Sequence, residues 1–226
     1  MAQSQGLNIR EGRTYLDVNS KQGTLSFVAP AFGPGTYANV GTQINEAGLI
    51  QPTMVQTAEL VHGAWQNPKE KYSADVIQKL RSNWLLGFNG LLYVPNEGIY
   101  IQDRPEVRNG GVFMDHGDII KKLGAKDPGV RFVPFGTFKI ESQSSFELAK
   151  NLFIQALAGE EGADKLAQVA DKYNFKPYVW ALGRENVSQL TARVASLFSW
   201  DINGRLDVVG DYRDDTSYGY GFGVRP

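Results

Sequence analysis

The hydrophobic pattern of this 226-residue chain changes period several times, from steps of three and four residues to steps of two and back, and no segment repeats at a fixed interval. Without a fixed repeat, solenoids and propellers are removed from the alternatives. Mixed periods predict an α+β protein: a mostly antiparallel β-sheet built from hairpins, with about six helices packed on it. A chain of this length buries roughly 70 to 75% of the surface its unfolded form exposes, so it needs no metal or disulfide to hold a core. It is read as one domain, 1–226, with a soft boundary near 140–145. The sequence has no cysteine, which excludes disulfides and thiolate chemistry.

The first period-two runs, 13–19 and 24–29, flank Ser20-Lys21-Gln22-Gly23 and predict a hairpin. Ala31 to Gly35 reads as a loop. Beyond it Tyr37, Val40, Ile44 and Ala47 form one apolar stripe, predicting a helix over 36–47 that Gly48 ends as a left-handed cap. Thr53 caps a second helix with Met54, Ala58, Val61 and Trp65 on one face, closed by Asn67-Pro68. Ser73 is expected to cap a third, whose stripe of Val76, Leu80 and Trp84 extends to Phe88.

From Leu91 the period becomes two, and Pro95-Asn96-Glu97-Gly98 predicts a hairpin turn between 91–94 and 99–101. Residues 103–111 read as loop. Asp115 starts a short helix stopped at Gly124, and 130–138 reads as a strand that Pro134 demotes to an edge or a bulge. Ser144 and Glu147 have capping-box spacing ahead of an apolar face through Leu157. A second helix from Glu160 to Tyr173 follows across Ala158-Gly159. In the last fifty residues, Asn203-Gly204 predicts a hairpin. Two registers compete: a two-residue turn places Trp200 opposite Asp207, and a three-residue turn with Gly204 left-handed pairs Asp201 with Arg205, Trp200 with Leu206 and Phe198 with Val208. The second is preferred because it puts the large apolar residues on one face.

Twenty-three basic and 24 acidic residues are mixed along the chain, for a formal net charge of -1, so bulk nucleic-acid binding is not favoured. The first residues are polar and carry no apolar run, which predicts neither a secretory signal nor a membrane span and a cytoplasmic location. With only His62 and His116, no metal site is expected. No cofactor or partner is assigned, and a homo-oligomer stays open.

Three groups of residues carry candidate chemistry. Gly33, Gly35 and Thr36 lie between a strand and a helix, where amides and the helix dipole can hold a phosphate; the plainer expectation is a tight turn with Thr36 as cap. The motif lacks the lysine of a phosphate loop and the third glycine of a dinucleotide fingerprint. Asp115, His116 and Asp118, with Asp103, Arg104 and Glu106 upstream, form the densest polar group of the first half and could supply a general base, although both Asp115 and Asp118 also sit where acids favour a helix dipole. Tyr218, Tyr220 and Phe222 alternate with glycines, giving a strand with one aromatic face and one bare face that could receive a flat ring or be covered by neighbouring side chains. Glu59 with His62 reads as a surface contact of no consequence, and Asp201, Asp207, Asp211, Asp214 and Asp215 read as the wet face of a hairpin.

The stretches 81–89, 97–103, 130–134 and 159–166, together with the closing Gly-aromatic strand, resemble a group of uncharacterised archaeal proteins. The likeness covers about 40 to 224. It implies an intracellular protein and brings no catalytic signature. The function expected is therefore a non-catalytic binding or interaction protein with an aromatic and glycine-rich sheet surface. The alternative is a nucleotide- or phosphate-handling enzyme joining the Gly33–Thr36 loop to the Asp115–Asp118 cluster.

Overall fold

The computed structural model describes residues 6–10, 13–20, 23–199 and 204–226. Strands β1 (Gly6–Arg10), β2 (Arg13–Ser20) and β3 (Gly23–Ala29) form an antiparallel sheet in which Ser20 pairs with Gly23. The turn residues Lys21 and Gln22 lie outside the described residues. Next come β4 (Phe32–Gly35), α1 (Tyr37–Glu46), α2 (Met54–Gln66) and α3 (Lys71–Ser82). The long strand β5 (Trp84–Val94) leads to β6 (Gly98–Asp103), then to the small hairpin β7 (Glu106–Arg108) and β8 (Gly111–Phe113), α4 (His116–Gly124) and β9 (Val130–Pro134). The remainder is β10 (Glu141–Ser142), α5 (Ser145–Lys150), α6 (Leu152–Ala170), β11 (Tyr178–Trp180), β12 (Thr191–Phe198), β13 (Asp207–Tyr212) and β14 (Gly219–Gly221).

The main sheet has the order β10-β11-β13-β12-β5-β14-β4, with β6 on the second half of β5 and β9 on β6. Only β11 with β13 and β14 with β5 are parallel, so this is an α+β fold with a mostly antiparallel sheet. One cluster of buried side chains joins Leu16 and Phe27 to α2, α3, α6, β5 and Val224. Among the described residues no helix is long and apolar enough to cross a membrane.

Capping chemistry sets several boundaries. Thr36 accepts the Asn39 amide at 3.2 Å and starts α1, and Gly48, at φ +70°, follows its end. Ser144 and Glu147 form the expected capping box, yet α5 is short: Asn151 ends it and caps α6 by accepting the Phe153 amide at 3.0 Å. The helical run expected from Ser144 to Leu157 is thus interrupted at Asn151. Gly159, with φ 74° and ψ 162°, breaks α6 where the sequence has Ala158-Gly159, and the helix ends at Ala170 rather than Tyr173.

Other expectations are corrected. The third helix stops at Ser82, and Trp84 to Phe88 open β5 instead of extending the helical stripe. Leu85 to Val94 are all buried, and a strand covered on both faces has a continuous apolar sequence that also satisfies helical spacing. Its N-cap is Glu70, with Ser73 already inside the helix. Ala31 to Gly35 contains strand β4, and the expected loop 103–111 contains the β7–β8 hairpin. Residues 130–138 form strand only as far as Pro134, and β9 is an edge that pairs with β6 alone. In the C-terminal hairpin Phe198 faces Asp207 and Leu197 faces Val208, one residue away from the preferred register. The expected pairs of Trp200 and Asp201, and the turn residue Asn203, lie outside the described residues.

Candidate functional site

The site grows out of an irregularity in β5. On β12, Val194 pairs with Gly90 and the next residue, Ala195, with Gly87, so Phe88 and Asn89 bulge out of the ladder. Bulged residues lose their strand partners and must find others. The Phe88 amide donates to the Pro52 carbonyl at 2.8 Å, and its carbonyl accepts the Arg104 amide at 2.8 Å. Asn89, fully buried, accepts the Met54 amide on Oδ1 at 2.6 Å. The bulge therefore binds the first turn of α2 to the end of β6. Gly87 permits this, because a Cβ there would stand 2.7 Å from Cε and 3.0 Å from Cα of Met54.

Asn89 also donates through Nδ2 to Oδ1 of Asp103 at 2.6 Å, and the same oxygen accepts Nη2 of Arg131 at 2.5 Å. Arg131, on β9, spends its other donors on main-chain carbonyls: Nε on Ala156 at 2.7 Å, just before the break in α6, and Nη1 on Pro128 at 3.2 Å. Its charge is matched by Asp103 and its fork holds α6 against the sheet.

Arg104 is different. Its backbone is left-handed at φ 47°, an unusual conformation for a large side chain that is held by the amide bond to Phe88. Nε donates to the Gln51 carbonyl at 2.6 Å and Nη2 to Oε1 of Gln56 at 3.0 Å. Oε1 of Gln56 in turn accepts the Thr53 amide at 3.0 Å, so the capping residue of α2 also aims the arginine. Among the described residues Arg104 has no ion-pair partner, and Nη1 has no hydrogen-bond partner.

Thr53, Val55, Gln56, Asp103, Arg104, Pro128, Arg131, Gln155, Ala156 and Gly159 line a cleft of about 350 Å³. Two guanidinium groups against one carboxylate leave it with a net charge of +1. The first turn of α2, at its rim, adds the positive end of a helix dipole. The arrangement is suited to a singly charged anion: Arg104 supplies the uncompensated charge, and the Asn89–Asp103–Arg131 network fixes the walls.

The residues nominated from sequence lie elsewhere. Gly35 pairs with Gly219, and a Cβ on Gly33 would stand 2.5 Å from the Gly219 carbonyl oxygen, so these glycines serve strand contact. Two of the α1 amides that would cradle a phosphate are engaged, that of Tyr37 by the Asp214 carbonyl at 3.1 Å and that of Asn39 by the Thr36 hydroxyl. Asp115 accepts the Asp118 amide at 2.8 Å as the cap of α4, and Asp118 pairs with Lys122 at 2.9 Å. His116 turns to neither aspartate: Nε2 lies 3.5 Å from Oε2 of Glu97, and its ring meets Tyr100 edge-on at 5.1 Å. The Tyr100 phenol donates to the same carboxylate at 2.8 Å and is pushed up to about 12, first by burial and then by Glu97. Asp115 and Asp118 line a separate cleft of about 280 Å³ with Glu106, Arg108 and Lys122.

Of the expected strand 218–224 only Gly219–Gly221 is β14; Phe222 just beyond it is core, Tyr220 is half-buried under the Lys79 ammonium at 4.3 Å, and Tyr218 just before it is exposed. Its bare face is covered by aliphatic groups and one ring: Leu86 over Gly219, Phe88, Val40 and Ile44 over Gly221, and Leu49 over Gly223. Glu59 and His62 do not pair as expected. Glu59 is buried, with both oxygens 2.6 Å from Nζ of Lys165, while His62 reaches Gln168 at 3.0 Å. Of the C-terminal acids, Asp207 is buried against Arg205 at 2.7 Å, and Oδ2 of Asp214 accepts the Val112 amide at 2.7 Å. Among the described residues no cluster of three or more His, Cys, Asp or Glu could hold a metal ion.

The Arg104 cleft was not singled out by the sequence. The available signal was Gly87-Phe88-Asn89-Gly90, two glycines around a polar residue inside an apolar run, a pattern that marks a bulge or a close backbone approach. No protein-family model, no curated protein and no solved structure matches this chain.

Proposed function

We propose that this chain is a non-catalytic binding protein whose ligand presents a single anionic group to Arg104. The observation that carries the reading is an arginine fixed through two of its nitrogens, in an uncommon left-handed backbone conformation, with no ion-pair partner among the described residues. Arg104 is exposed, so its charge is solvated and its held side chain can meet an arriving anion with charge-assisted hydrogen bonds. The aromatic residues offered from sequence support the binding reading less, because Phe222 is core and the glycine face is packed. The enzyme reading has weaker support, since the Tyr37 and Asn39 amides that follow the Gly33–Thr36 loop and the aspartates Asp115 and Asp118 already have partners within the fold. A cytoplasmic setting belongs to the same proposal, through the resemblance to archaeal proteins.

The test is calorimetric titration of the protein with acetate and with methyl phosphate, beside Arg104→Gln and Arg104→Lys variants. A charge-assisted hydrogen bond contributes about 1.5–3 kcal/mol, so Arg104→Gln should weaken anion binding about 10- to 100-fold, and Arg104→Lys should recover part of the loss. Binding that ignores the Arg104 charge would remove the proposal.

A further inference from the structure

The Arg104 cleft does not end at Gln56. Val55, Gln56 and Gly159 also line a second hollow of about 330 Å³, whose far wall is made by Leu25, Ala158 and Gly162. The two hollows thus adjoin across Val55, Gln56 and Gly159, one cationic at Arg104 and the other walled mainly by apolar atoms. The second lobe owes its room to the break in α6. Gly159 has a backbone conformation that L side chains rarely adopt, with nothing within 4 Å of where a Cβ would be. Of the three acids lining this end, Glu59 and Glu161 both bind Nζ of Lys165, at 2.6 and 2.9 Å, and Glu160 is exposed to solvent.

Resting on the anion-binding reading above, we infer that the ligand is an aliphatic monocarboxylate, its carboxylate on Arg104 and its chain in the hollow between Leu25 and Ala158. The net charge of +1 at the cationic end matches one carboxylate and leaves a dianionic phosphate half compensated. An apolar chain gains by leaving water for the second lobe, whereas a cationic far end would meet only the solvated Glu160, an exposed pairing that contributes little.

The experiment is a chain-length series, acetate, butanoate, hexanoate and octanoate, titrated calorimetrically into the protein and into Arg104→Gln, with hexan-1-ol and 6-aminohexanoate alongside. Each methylene taken from water should tighten binding about two- to fourfold until the lobe is filled. Arg104→Gln should weaken every acid by a similar factor, and hexan-1-ol and 6-aminohexanoate should both bind more weakly than hexanoate. A flat series that still depends on Arg104 overturns the aliphatic ligand and leaves the anion site standing. A 6-aminohexanoate affinity above that of hexanoate overturns it too, in favour of a dipolar ligand. A chain-length series bound by Arg104→Gln as tightly as by the unaltered protein reports adventitious hydrophobic binding and overturns both readings, as does no binding of any acid.

Discussion

Asn89 and Asp103 stand directly opposite each other on β5 and β6, and the amide of one donates to the carboxylate of the other at 2.6 Å. Because Asn89 also takes the Met54 amide, this one side chain links a helix start, a strand bulge and the acidic member of the cleft. Replacing it by alanine would leave a buried main-chain donor unpaired and Asp103 one partner short. The expected cost of Asn89→Ala is about 2–4 kcal/mol, seen as a lower urea midpoint at unchanged slope.

Two glycines with positive φ should respond unequally to alanine. Gly48, at +70°, faces open space, so Gly48→Ala should cost only the left-handed backbone penalty, about 1 kcal/mol. Gly33, at +113°, would add a Cβ 2.5 Å from the Gly219 carbonyl oxygen, so Gly33→Ala should cost more than about 3 kcal/mol by separating β4 from β14. Thermal melts of the two variants give the comparison, and equal shifts would contradict it.

The Ser144 amide, then Lys139 and the Ser144 hydroxyl, hold the Glu147 carboxyl down to about 2 from an ordinary 4.5. A lowered folded-state value means that the charge contributes above pH 4.5 and its contribution is lost as pH falls toward 2. Glu147→Gln should therefore remove that part of the acid sensitivity. Chemical-shift titration of Glu147 should give a midpoint near 2, and an ordinary midpoint would show that the capping box is not formed.

Lys165 joins α6 to α2 through Glu59. Burial pulls its ammonium down, and Glu59 and Glu161 more than offset that, so its value is raised. Its contribution is complete below the ordinary lysine value and is lost as pH rises through the raised one. Lys165→Ala strands Glu59, whose side chain is 7% exposed, and should cost about 3–5 kcal/mol. Lys165→Met with Glu59→Leu should return most of it, and a double mutant as unstable as the single would argue against an uncompensated charge as the cause.

What could be read from sequence divides along physical lines. Local chemistry was legible: Thr36, Thr53, Asp115 and Ser144 begin helices, Gly48 and Gly124 mark ends, and the turn at Pro95–Gly98 makes its hairpin. The β5 boundary was not, because an apolar run buried on both faces fits helical and strand periods alike. The site was least legible. Asn89 and Arg131 come from β5 and β9 and Arg104 directly follows β6, and in sequence Asp103 and Arg104 are only polar neighbours upstream of Asp115–Asp118 until the fold assigns Asp103 to Arg131 and leaves Arg104 over.

The three residues of β14 lie between β4 and β5, Gly219 pairing with Gly35 on one side and with Trp84 on the other. Without that insert β4 has no strand to pair with, so the sheet resembles an arch whose keystone comes from the far end of the chain. Loop closure over such separations is slow compared with the β5–β6 hairpin, which closes across a short turn. Assembly therefore has an order built into it: the centre of the sheet zips early, and the β4 margin waits for 219–221 to arrive.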